Sequence, residues 1–128
     1  LLLPGGGVVT VGCTHCHNAR HPGVVGREIL RAAAAVGDVA GGGAAVLAGD
    51  LNAPPGHPAM AELGRRGWEG AAPLPGMGID RIVHRGLRVL EPVRRLAPTE
   101  RDAGVWWRGR ERRVRLSDHD PVVVTLAA

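Results

Sequence analysis

Hydrophobic positions along the chain fall into short runs, most of them closed by a polar motif. Val8 to Cys13 is rich in β-branched residues and predicts a buried strand after the Gly5-Gly6-Gly7 turn. Pro22-Gly23 opens a helix through Val36, in which Val25, Ile29, Ala32 and Val36 recur at spacings of four, three and four on one apolar stripe. Gly37 to Gly43 break that pattern. Ala44 to Ala48 predict a short strand buried on both faces, and Pro54-Pro55-Gly56 a rigid turn before a helix over 56–65 carrying Met60 and Leu63. Further strands are expected at 79–83, 86–90, 112–116 and 121–126. The order β-α-β-α followed by mostly β predicts an α/β fold, one sheet rich in antiparallel pairs, and both helices on one face.

At 128 residues the chain amounts to one domain with a modest core. With three Trp and neither Phe nor Tyr, that core falls to Val, Leu, Ile and Ala. No apolar run approaches the ~18 to 20 residues that a membrane helix requires. Leu1-Leu2-Leu3-Pro4 lacks a starting Met, a basic n-region and a cleavage site, so it does not read as a signal peptide, and the chain is expected to begin inside a longer protein. Compartment and oligomeric state stay open.

The net charge of +4 rests on 16 arginines and no lysine. Residues 81–115 hold 11 of the arginines against four acids, a local balance of +7 between two slightly acidic segments. Such a segment would steer a polyanion toward the motifs beside it. A solvated Arg-rich hairpin is the structural alternative. Within it, Trp106-Trp107-Arg108-Gly109-Arg110-Glu111-Arg112-Arg113 sets two indoles beside Arg108, Arg110, Arg112 and Arg113, the makings of phosphate contacts with a stacking platform.

Three polar motifs hang on strand ends. In Gly49-Asp50-Leu51-Asn52, an extended backbone would aim Asp50 and Asn52 the same way while Leu51 enters the core. A carboxylate and an amide aimed together can hold a divalent cation, its water and a phosphate oxygen. A plain Asp/Asn turn before Pro54-Pro55 is the bland alternative. Asp80, inside Ile79-Asp80-Arg81-Ile82-Val83, is unfavourable in a strand without a partner. An imidazole from the last motif would supply one, as would a salt bridge to Arg81 or Arg85. Ser117-Asp118-His119-Asp120-Pro121 offers that imidazole at His119 and a metal-associated carboxylate at Asp118, or only a local turn. Cys13-Thr14-His15-Cys16-His17 fits three readings: the C-x-x-C-H of c-type haem attachment, with Met60 or Met77 as axial ligand; a zinc or soft-metal site; or bystander cysteines with His15 joining the phosphate site.

Taken together these residues resemble the endonuclease/exonuclease/phosphatase superfamily, whose members include DNase I-like nucleases. Thr14-His15 resembles its T-H element, Gly49-Asp50-Leu51-Asn52 its G-D-x-N, Ile79-Asp80-Arg81-Ile82 its I-D-x-I strand, and Ser117-Asp118-His119-Asp120-Pro121-Val122 its closing S-D-H-x-P-V. The resemblance implies part of a four-layer α/β-β/α sandwich, with mostly antiparallel strands. It also implies hydrolysis of phosphate esters, nucleic acid among them, with Mg²⁺ or Mn²⁺. His15, Asp50, Asn52, Asp80 and His119 would be catalytic, and Asp118 and Asp50 would hold the metal. Asn52 would also contact substrate, and on the charge pattern rather than the resemblance Arg108, Arg110, Arg112 and Arg113 would join it. Residues 1–128 match the C-terminal portion of such a domain. The family's early Asn and metal-binding Glu have no counterpart here, so this chain alone is expected to show little of the activity and to leave apolar faces exposed. A non-catalytic nucleic-acid- or anion-binding remnant of the same fold is the alternative.

Overall fold

A computed structural model describes residues 1–18, 21–70 and 78–128. In chain order the elements are β1 (Val9–Cys13), α1 (Pro22–Ala40), β2 (Ala44–Asp50), α2 (Pro58–Arg65), β3 (Asp80–Arg85), β4 (Arg88–Arg95), a single 3₁₀ turn at Pro98–Arg101, β5 (Asp102–Trp107), β6 (Arg110–Arg115) and β7 (Val122–Ala127). The fold is mixed α/β, and among the described residues all but one of the strand pairs are antiparallel.

The pairing departs from the single sheet expected. Among the described residues three separate ladders form: β1-β2-β3, β4-β7 and β5-β6. Gly86, at φ 64, turns the chain out of β3, so β4 pairs with β7 instead of returning along β3. The β4-β7 register then shifts between Glu91 and Arg94. Pro92 lies within that shift, where it cannot donate to the ladder. β5 was not legible in Asp102-Ala103-Gly104, which shows no alternation. It exists because Arg108 and Gly109, both at positive φ, make the tight turn whose twist suits a hairpin with β6.

β1 runs parallel to β2 and β3 antiparallel to it, in a register that sorts side chains by face. Thr10, Ala45 and Arg85 share the helix face, as do Gly12, Leu47 and Val83. The core lies there: Ala45, Leu47 and Val83 meet Val25, Ile29 and Ala33 of α1 and Ala59, Met60 and Leu63 of α2. Full burial of each large aliphatic side chain contributes about 1.5–3 kcal/mol. The buried stripe of α1 is Val25, Ile29, Ala33 and Gly37, with Ala32 and Val36 at its margin, and the helix runs past its expected end to Ala40. Gly37 lies within the helix, with the Arg85 guanidinium packed where a side chain would be and donating to its carbonyl at 2.9 Å. Gly41, left-handed at φ 57, ends the helix.

The opposite face carries Val11, Val46 and Ile82. Leu126 of β7 closes part of it over Val9, Val11, Val46 and Leu87, around a cavity of about 170 Å³. Val8 and Val11 stay exposed. Among the described residues no helix is long and apolar enough to cross a membrane.

Candidate active site

Because β1 and β2 are parallel, both end at one edge of their sheet, and antiparallel β3 begins there. The chain beyond β1 stays on the β2 edge: Thr14 N–H donates to Ala48 O at 3.0 Å and Cys16 N–H to Asp50 O at 2.9 Å. That approach needs Gly49, at φ 138, where any Cβ would overlap the Thr14 carbonyl. It sets His15 Nε2 3.5 Å from Asp50 Oδ2.

Asp50 ends β2 as the cross-strand partner of Asp80, which opens β3. His119 reaches them from the loop before β7. Its Nδ1 lies 2.9 and 3.0 Å from the two Asp80 oxygens, and its Nε2 3.9 Å from Asp50 Oδ2. Asp80 thus has the imidazole partner that its place in a strand called for. The Asp80 hydrogen bond and negative charge hold the His119 pKa above its ordinary value; Asp118 and Asp50 add to the effect and partial burial opposes it. A carboxylate at Nδ1 makes that nitrogen the donor, so Nε2, facing Asp50, is the atom that gains and loses the proton.

Asn52 differs from the extended geometry expected. It sits at φ 47, where Asn is tolerated, because its N–H donates to Asp50 Oδ1 at 2.9 Å in a local turn. Its side-chain amide donates to Cys16 O and so ties the β1 loop to the β2 loop. Leu51 is fully buried, as the motif implied. Asp118 stands apart: its side chain is 94% exposed, with Oδ1 4.0 Å from His119 Nε2.

Arg101 escaped the sequence reading, and Arg81 entered it only as an alternative salt-bridge partner of Asp80. Arg101 Nη1 donates to Asp118 O at 2.9 Å and pairs with Asp120 Oδ1 at 2.9 Å, and its carbonyl accepts from Leu116 N–H. It therefore grips the His119 loop on both sides, helped by Arg95, 3.6 Å from Asp120. The acid in Ser117-Asp118-His119-Asp120 was the available signal. Arg81 is buried beneath the β2 turn and donates to Ala53 O at 3.3 Å. Burial lowers its pKa, and the neighbouring Asp80 opposes that.

His119, Asp80, Arg101, Asp120 and Cys13 line one cleft of about 490 Å³. Donor atoms of Asp50, Asp80 and His119 all lie within 4.8 Å of one another. Two facing carboxylates beside an imidazole are a donor set that fits a divalent cation. The two cysteines do not converge. Cys13 is exposed on the sheet face opposite the helices, whereas Cys16 is buried in the core, its thiol pushed up chiefly by burial and next by Glu28. His17 pairs with Glu28 instead, at 2.6 Å. Met60 is buried in the core and Met77 lies outside the described residues. Arg108, Arg110, Arg112 and Arg113 do not line this cleft and lie on the β5–β6 hairpin.

Residues 1–119 match the family described as Endonuclease/Exonuclease/phosphatase family. No curated protein and no solved structure matches the chain.

Proposed function

The chain belongs to the endonuclease/exonuclease/phosphatase family, and from that premise we propose that it hydrolyses phosphate esters at the Asp50–Asp80–His119 cluster by in-line attack of water. The convergence of those three side chains from β2, β3 and the loop before β7 carries the reading. Asp50, beside His15, orients or deprotonates the attacking water. Asn52 spends one amide N–H on Cys16 O and keeps the other for a phosphate oxygen. His119, oriented by Asp80, presents Nε2–H to the charge that builds on the phosphoryl oxygens or passes a proton there. His15 serves the leaving-group side. Asp50 and Asp80 would hold Mg²⁺ or Mn²⁺, Asp118 would help to position it, and the ion would supply neutralisation of phosphoryl charge.

The reading extends to the fold. The face of β1-β2-β3 opposite the helices, apolar at Val11, Val46 and Ile82, suits the inner layer of a four-layer α/β-β/α sandwich. Hydrolysis of bis(p-nitrophenyl) phosphate, measured with Mg²⁺ or Mn²⁺ and again in EDTA, tests the chemistry. Turnover lost in EDTA and in His119→Ala supports it; turnover indifferent to both overturns it.

A further inference from the structure

The β5–β6 hairpin stands apart from the other strands, pairing with none of them. Its two faces differ in chemistry. The ladder sets Trp107 opposite Arg110, Val105 opposite Arg112 and Ala103 opposite Val114. That face carries an indole, two guanidiniums and small aliphatic side chains, with no acid. The other face pairs Trp106 with Glu111, Gly104 with Arg113 and Asp102 with Arg115, so carboxylates are interleaved among its cations. Glu111 also lies across Gly104, where it occupies the space of a Cβ.

All six residues of β6 are exposed, and Trp107 is 57% exposed. At the turn, the Arg108 guanidinium sits 5.9 Å from the Trp107 ring centroid, adding a third cation to the acid-free face and steadying the ring. Arg110 and Arg112, two residues apart on one strand, repeat at about 7 Å. An extended sugar-phosphate chain can follow such a row while an unstacked base lies on the indole. A duplex keeps its base faces internal and has nothing to offer Trp107.

The hairpin is also joined to the cleft. Leu116 N–H bonds to Arg101 O at its base, and both residues line the cleft with His119. From that base to the Arg108-Gly109 turn is about 20 Å at the usual strand rise.

We propose that the hairpin face bearing Trp107, Arg108, Arg110 and Arg112 docks single-stranded nucleic acid and holds it beside the His119 cleft. The catalytic consequence rests on the phosphate-ester reading above; the binding does not. Arg113, grouped with the other three on sequence grounds, belongs to the opposite face and takes no part.

Anisotropy of a short fluorescein-labelled oligothymidylate, titrated with the full chain in EDTA, separates the two faces. Trp107→Ala should weaken binding about tenfold, because a base loses its stacking partner, while Trp107→Phe retains most of it. Replacing Arg110 and Arg112 together by Gln should lower the slope of log affinity against log salt by about 0.7 per arginine. Trp106→Ala and Arg113→Gln should stay within about twofold of the parent, since neither side chain faces the ligand. Far-UV circular dichroism confirms that each variant is folded. Equal losses from both faces, no binding by the parent chain, or preferential binding of duplex DNA or phosphatidylserine vesicles overturns the proposal. Face-specific binding together with ester hydrolysis that persists in EDTA and in His119→Ala would overturn the catalytic reading and leave this one standing. Hydrolysis of bis(p-nitrophenyl) phosphate with face-blind binding does the reverse.

Discussion

Asp50 and Asp80 are direct partners across the β2–β3 ladder, two carboxylates of like charge on one face of the sheet, with the His119 imidazole hydrogen-bonded to Asp80 and facing Asp50. Like charges placed opposite each other in a ladder destabilise it by about 0.2–1 kcal/mol. Such a pair is retained against stability where a cation, or a protonated imidazole, is to be held.

Removing one charge should therefore help folding and harm chemistry. Asp50→Asn keeps an oxygen for the Asn52 N–H. At pH 8 it should match or exceed the parent in urea unfolding, by up to about 1 kcal/mol. Its turnover should fall about 10² to 10⁴-fold, as for loss of a positioned acid–base group. A variant that loses stability and keeps its rate would contradict both halves.

The His119–Asp80 bond sets a pH dependence. The folded pKa of His119 is raised above its unfolded value by Asp80. The stability it contributes is complete below the unfolded pKa, ~6.5, and is lost as pH rises through the folded pKa. The gap in urea midpoint between the parent and Asp80→Asn should accordingly narrow as pH climbs through that window. The Hε1 resonance of His119 should titrate above the ordinary range in the parent and move back down in the variant.

Gly49→Ala should be costly. At φ 138 an alanine is strained, and its Cβ meets the Thr14 backbone, which has no flexible end to yield. Strain of this kind alone costs about 1–3 kcal/mol. Urea unfolding should show a loss of at least that size. The amide resonances of Thr14 and His15 should shift, because β1 can no longer lie against the end of β2.

The two cysteines should separate chemically. Iodoacetamide should alkylate exposed Cys13 in the native protein and leave Cys16 untouched, since the thiolate is the reacting form and burial raises the Cys16 pKa. In urea both should react, and tandem mass spectrometry of the tryptic peptide 1–20, which holds both cysteines, distinguishes the outcomes. Haemin added to the reduced protein should produce no stable c-type adduct, because the two thiols face different sides of the chain.

Much of this was legible along the chain. Val25 and Ile29 announced the buried side of α1, Leu51 its place in the core, and the four motifs their strand ends, because apolar periodicity and turn residues are local signals. The apolar run over 44–48 placed Asp50 just beyond the end of a strand, and the run over 79–83 placed Asp80 inside the next one. Asp80, a carboxylate in a strand, required a partner, and His119 was the candidate that the closing motif supplied. Local patterns missed Gly37, read as a helix breaker, because the space beside it is taken by Arg85, 48 residues away, which leaves no local signal. β5 was missed for the same kind of reason, since its six residues become a strand only by pairing with β6.

Residue types, their order and their spacing thus determined the α/β class, the identity of the chemical groups and the strand ends that present them. Tertiary structure alone decided that Asp80 and not Asp118 joins Asp50, that Asn52 turns its amide to Cys16, that Arg101 grips the His119 loop, and that Arg113 faces away from Arg112. Each of these depends on strand register or on a backbone dihedral. A shift of one residue in a ladder sends a side chain to the other face, and such a shift leaves composition and motif unchanged.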